Sequence, residues 1–139
     1  MADAPVDATF KFELVSPEKI LVSEEAKMVV VPGEEGDFGV LAQHAPLLSA
    51  LRPGVVRVTS ATGEERKIFV AGGFADVTPA LLSVLAEDAV DVASIDKAKL
   101  EADIKNLEDD LGFAKDDAVK SALLKSQLDV AKAKILAAA

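Results

Sequence analysis

The strongest constraint on this chain is a change in its apolar rhythm near residue 94. Before that point, short runs rich in Val, Ile, Leu and Phe are punctuated by Gly and Pro, which is how strands joined by tight turns read. Beyond it there is no proline and one glycine, and the apolar residues step by three and four, the spacing of a helix face. A period of two and a period of 3.6 cannot sit in one element. Two units are therefore expected, a strand-built one over residues 1–93 and a helical one over 94–139.

In the first unit, Phe10, Phe12 and Leu14 alternate with Thr9, Lys11 and Glu13, placing three apolar side chains on one strand face. Ile20 to Val22 and Met28 to Val31 continue the pattern up to Pro32-Gly33. Val55 to Thr59 and Lys67 to Ala71 flank the polar stretch Ala61-Thr62-Gly63-Glu64 and read as a hairpin. Phe74 to Val77 and Leu81 to Leu85 flank Thr78-Pro79-Ala80 and read as a second, and Val90-Asp91-Val92 closes the series. About ten short strands with no long helix between them predict an antiparallel β-sandwich or barrel rather than a parallel α/β sheet. His44 to Leu51, bracketed by Pro46 and Pro53, is predicted to be a loop with one helical turn.

In the second unit, Ser94 is the expected N-cap and Asp96 suits the positive end of the helix dipole. Leu100, Ile104, Leu107 and Leu111 form one stripe, and Leu124, Leu128, Ala131 and Ile135 repeat it after Gly112. This predicts an antiparallel two-helix hairpin. Gly112 is the candidate positive-φ residue ending the first helix, with a turn that can extend through Asp116-Asp117. Two narrow stripes do not by themselves offset the ordering of so many residues. The hairpin is thus expected to need a further surface, and to be able to dock in more than one place.

Composition removes most chemistry. There is no cysteine and a single histidine, so disulfides, thiolate metal sites, histidine metal clusters and cysteine nucleophiles are absent. Fifteen basic against 24 acidic residues give a net charge of −9, and the only aromatics are six Phe; nucleic-acid binding is excluded on charge and on stacking surface. Residues 1–93 carry 7 basic and 15 acidic groups (net −8) and residues 94–139 carry 8 and 9 (net −1). The acidic half suits a basic partner surface or simply a soluble exterior. Met1 to Asp7 has acidic residues where a signal peptide carries positive charge, and no apolar run nears the ~20 residues of a membrane span. A soluble, intracellular chain is expected, free to attach peripherally to a membrane complex.

The remaining candidates are sparse. Gly33-Glu34-Glu35-Gly36-Asp37-Phe38-Gly39 matches a phosphate loop in glycine count alone, since its carboxylates oppose phosphate and no Lys-Ser or Lys-Thr follows. It lacks the ligand spacing of a calcium loop and reads as a tight acidic turn. His44 has no nucleophile or orienting carboxylate beside it in sequence and reads as a structural or interface residue. Gly72-Gly73-Phe74 suggests a bulge or a close-packing point. Glu87, Asp88 and Asp91 sit in a solvated charge pattern rather than an acid–base pair.

Two blocks carry a specific likeness. Pro32 to Leu48 (PGEEGDFGVLAQHAPLL) with Leu51-Arg52-Pro53-Gly54-Val55-Val56, and Phe69 to Val77 (FVAGGFADV) with Val84 to Ala89 (VLAEDA), closely resemble the epsilon subunit of F-type ATP synthases, called delta in mitochondria. The resemblance extends over essentially the whole chain, in the order sandwich then helical hairpin. It implies a non-catalytic rotor subunit of the central stalk, without a cofactor, whose sandwich grips the gamma subunit and touches the membrane c-ring. By position, Glu35, Gly36, Asp37 and Phe38 fall in the ring-facing loop and His44 near the gamma-facing surface. It also implies a place at the cytoplasmic face of a bacterial inner membrane, the absence of a transit-like start disfavouring the mitochondrial matrix.

The hairpin is where that family regulates, by reaching the alpha and beta subunits of the catalytic head or by holding ATP through a motif of Ile or Leu, Asp, two variable residues, Arg and Ala. The matching residues here are Ile95, Asp96, Lys99 and Leu100, with Lys and Leu in place of Arg and Ala, and every arginine lies before residue 94. A nucleotide-responsive switch is thus the alternative to a rotor role, with Ile95, Asp96 and Lys99 as its weak candidates. The near-neutral hairpin is expected to inhibit ATP hydrolysis weakly or not at all. An unrelated acidic adaptor domain is the third reading.

Overall fold

The computed structural model describes residues 8–138; the N-terminal stretch Met1 to Asp7, read above for targeting signals, lies outside them. The elements are β1 (Phe10–Val15), β2 (Ile20–Gly33), β3 (Gly36–Leu41), β4 (Leu47–Leu51), β5 (Gly54–Ser60), β6 (Glu65–Val70), β7 (Gly73–Val77), β8 (Leu81–Ala86), β9 (Ala89–Asp91), a 3₁₀ turn at Val92–Ser94, α1 (Lys97–Phe113) and α2 (Ala118–Ala138). The chain parts into two compact units between Val90 and Asp91, beside the expected boundary at residue 94.

The β-rich unit is a sandwich built around β2. Its first half pairs with β1 and its second with β3 and β5, and Gly33 at its end faces Leu51 of β4. From β4 the ladder continues through β7 and β8 and returns to β1. Strands β5, β6 and β9 extend the other side. Both expected hairpins form, β5–β6 and β7–β8. The period-2 face of β1 buries as read: Phe10, Phe12 and Leu14 join Val29, Val31, Val56, Val58, Leu82 and Val84 in one core.

Three details of the strand reading differ. The described residues form nine strands, close to the number expected, but Ile20–Val22 and Met28–Val31 belong to one 14-residue strand whose register shifts between Ala26 and Met28. A bulge lets one strand turn from one layer into the next without ending. The β1–β8 pair is parallel, whereas β1–β2, β2–β3, β2–β4, β2–β5, β4–β7, β5–β6 and β7–β8 run antiparallel. Leu47–Leu51, expected as a helical turn, is β4, paired from Leu47↔Val77 to Leu51↔Gly73. Its adjacent leucines hide the alternation that only Leu51, the buried one, reveals. Gly72-Gly73 is the close approach anticipated: Gly73 has φ +138°, and a Cβ there would lie 1.9 Å from the Leu85 carbonyl oxygen.

The hairpin forms with the stripes as read. Leu124, Leu128 and Ala131 are buried, and Leu100, Ile104, Leu107 and Leu111 are half-buried. Its ends differ from expectation. Ser94 lies in the 3₁₀ turn, and Asp96 is the N-cap, its Oδ1 accepting from the Lys99 N–H at 3.1 Å; a carboxylate caps at least as well as a hydroxyl. Gly112 lies in the last turn of α1, one residue before its end, and is not among the positive-φ glycines. Reversal needs no left-handed residue. Ala114 N–H bonds back to Asp110 and Leu111, and Asp117 then caps α2 through Lys120 N–H at 3.0 Å.

Candidate interaction surfaces of the sandwich

The β2–β3 hairpin ends in a tight acidic tip. Glu34, Glu35, Gly36 and Asp37 are exposed and Phe38 is half-buried. The turn is tight because residue 33 has no side chain: a Cβ there would lie 2.6 Å from the Gly36 carbonyl oxygen and 2.9 Å from Phe38. Gly36, at φ +150°, completes the reversal. Between this tip and the outer residues of β4 lies an open cleft of about 550 Å³. Glu34 N–H donates to the Ala50 carbonyl at 2.9 Å, and Arg52 N–H to the Pro32 carbonyl at 3.0 Å. The Arg52 guanidinium donates to the Gly33 carbonyl and to Asp37 Oδ1. Among the described residues Glu34 and Glu35 have no ion pair.

His44 sits at the other end of the sandwich. Strand β3 lies between it and the tip, about 20 Å of extended chain. Gln43 takes a left-handed conformation, φ +62°, and donates its N–H to the Pro79 carbonyl at 2.8 Å. This turns the chain so that His44 Nδ1 reaches the neighbouring Ala45 carbonyl at 2.6 Å. No carboxylate or hydroxyl partners the imidazole among the described residues. The sequence candidates thus divide into a tip group, Glu35 to Phe38, and a lone residue at the opposite end.

Register adds a surface that the sequence reading missed. Ala50, Phe74, Leu85, Val15 and Ile20 lie side by side across β4, β7, β8, β1 and β2. All five point away from the core. Phe74, Leu85 and Ile20 are 52%, 49% and 60% exposed, while their neighbours Ala75, Val84, Ala86 and Leu14 are buried. The next row on the same face is Leu48, Asp76, Ser83, Glu13 and Ser23, polar apart from Leu48. One apolar belt therefore crosses an otherwise polar sheet. Its trace in the sequence is broken alternation: Leu14-Val15 and Val84-Leu85 each place two apolar residues in succession, so one must face out.

Elsewhere the chemistry is thin. Ile95 is half-buried, Lys99 is exposed, and the Asp96 carboxylate is engaged in capping α1. Glu87 and Asp88 border a cleft of about 440 Å³ with Glu18 and Lys19. Among the described residues there is no group of three or more side chains able to hold a metal, and no helix is long and apolar enough to cross a membrane.

Residues 9–92 match the family model for the β-sandwich domain of the ATP synthase delta/epsilon chain. The chain is 50% identical over 112 residues to the ATP synthase epsilon chain of Mesorhizobium japonicum, covering 81% of this chain and 83% of that one. To the epsilon chain of Rhodospirillum rubrum it is 49% identical over 113 residues, covering 81% and 84%. Among solved structures, a chain of the Euglena gracilis mitochondrial ATP synthase OSCP/F1/c-ring assembly is similar in fold, with a TM-score of 0.80 at 22% identity over 95% of this chain and 82% of that one. A family match spanning all nine described strands, joined to half-identical relatives of nearly the same length, places this chain in the delta/epsilon family of ATP synthase chains, as a non-catalytic subunit.

Proposed function

We propose that this chain is a rotor subunit of the central stalk of a proton-translocating ATP synthase. In this reading the sandwich grips the gamma subunit, the β2–β3 tip meets the c-ring, and the chain carries torque between them. The observation that carries the reading is the apolar belt Ala50, Phe74, Leu85, Val15 and Ile20. An apolar row aligned across five strands of one sheet, with Phe74, Leu85 and Ile20 large and half-exposed, is what a permanent partner surface supplies, because burying it against a matching face drives association. A close-packed sandwich beneath suits a part that must transmit force without yielding. Acidic Glu34 and Glu35 at the tip suit a basic loop on the neighbouring rotor subunit. Association with the membrane is peripheral, through the complex, and the epsilon-chain relatives are bacterial, which supports the cytoplasmic face of a bacterial inner membrane.

The hairpin is read as a regulatory appendage that works without nucleotide. Its Asp96 is engaged as a helix cap, and its helices offer no arginine for phosphate, which argues against an ATP switch built on Ile95, Asp96 and Lys99. Contacts with the alpha and beta subunits through its near-neutral surface would be weak, so removing residues 94–139 leaves ATP hydrolysis near its wild-type rate.

The test is the paired substitution Phe74→Ser and Leu85→Ser. Both side chains are half-exposed, so the thermal midpoint of the free chain moves little, whereas retention in the complex with gamma is lost. Wild-type retention of the double variant overturns the reading.

A further inference from the structure

We propose that Arg52 is the positioning residue of the acidic tip, a strut fixing the tip to the strand that begins the apolar belt. The inference rests on the rotor reading and sharpens it. The β2–β3 ladder holds the tip to its own hairpin up to Gly33↔Gly36, but strands β2 and β4 meet at one register pair, Gly33↔Leu51, so little ladder ties the tip to β4. Arg52 follows that pair directly and makes three bonds back to the tip segment: its N–H to the Pro32 carbonyl, and its guanidinium to the Gly33 carbonyl and to Asp37 Oδ1. Glu34 N–H returns a bond to Ala50 of the belt. Residues 32, 33 and 37 are thereby tied from one side chain and its own amide.

The chemistry calls for arginine. A carbonyl at residue 33 and a carboxylate at residue 37 are reached together by a rigid planar fork with several N–H groups. A lysine ammonium is a point charge on a flexible stem and cannot span both in a fixed geometry. The fork also sorts the charges of the tip. Asp37 is paired, and Glu34 and Glu35 are left facing outward without an ion pair among the described residues. Arg52 therefore sets both the shape of the tip and which carboxylates a basic partner meets.

An exposed ion pair that merely decorates the surface would move little when removed, so the test follows the tip backbone directly. Hydrogen exchange is read by NMR on the full chain for the amides of residues 33–37, with Val56 and Val58 of β5 as internal reference. Arg52→Ala speeds exchange at the tip about tenfold and leaves the reference amides unchanged; Arg52→Lys restores less than half of the protection. In the reassembled enzyme, Arg52→Ala lowers protons pumped per ATP hydrolysed and Arg52→Lys recovers part of the loss. Wild-type tip exchange in Arg52→Ala overturns the strut, and full recovery in Arg52→Lys overturns the need for a fork. Faster tip exchange with unchanged pumping overturns the strut's part in coupling. Failure of the rotor reading shows separately, in the Phe74 and Leu85 variant, which leaves Arg52 intact.

Discussion

The sandwich and the hairpin bury their apolar residues to different depths. In the sandwich, Phe12, Val29, Val56, Val58 and Leu82 are wholly inaccessible, and all but Val56 have a ladder partner on each side. In the hairpin, the best-covered residues, Ala114, Leu128, Ala131 and Leu124, retain 6–8% exposure, and α1 has no buried residue at all. Meanwhile Phe113, Val119 and Leu136 are almost fully exposed, at 92%, 82% and 77%. Close packing on all sides gives a part that opens only when the whole unit unfolds, whereas a two-helix contact gives one that opens locally. Cover on every side and cover along a single seam are thus encoded in adjacent stretches of one chain.

The largest test of this contrast is Phe12→Ala. It removes a ring from the centre of the sandwich and costs about 3–5 kcal/mol, read as a fall in the urea midpoint of the strand signal; a loss below about 1 kcal/mol would show that the core is not close-packed. Leu128→Ala should cost about 2 kcal/mol, at the low end for such a truncation because the site is at a two-helix seam. It should appear as lost helical circular dichroism with protected strand amides, and simultaneous loss of both would merge the two units into one cooperative body. Asp96→Ala should weaken the hairpin by about 1 kcal/mol through loss of the cap, read as faster exchange at the Lys99 amide. Gly112→Ala sharpens the comparison in the opposite direction. The residue lies within α1 and a Cβ there would meet nothing within 4 Å, so the hairpin should gain about 0.5–1 kcal/mol of helical stability, seen as a raised helix melting temperature.

The elements most legible in the sequence were those whose side chains alternate cleanly: β1 through Phe10, Phe12 and Leu14, and both hairpin stripes down to Ala131. What escaped depended on partners distant in sequence. Leu47 and Leu48 look alike as neighbours, and only the β7 ladder makes them a strand. The bulge that joins Ile20 to Gly33 in one strand is a matter of pairing with β5, invisible to local pattern. Ser94 and Asp96 both offer capping oxygens, and the 3₁₀ turn decides between them. At the candidate surfaces the tip was legible from Gly33 to Phe38, because glycines and carboxylates announce a turn. The belt was not, since its five members come from five strands and converge only through register. Arg52 falls within a matching block, yet nothing in the sequence marks its reach to Asp37, fifteen residues away.

The route β1–β8–β7–β4–β2 returns to β1, joined between β4 and β2 by the single pair Gly33↔Leu51, so among the described residues the open strand margins are β3, the three-residue β9 and the β2-facing side of β4 before Leu51. Strand β3 carries two glycines and Asp37 along its six residues, a poor template for templated stacking. Short or glycine-bearing strand margins give a second copy of the chain little to pair with, so the same geometry that shapes the tip also disfavours growth of the sheet from one molecule to the next.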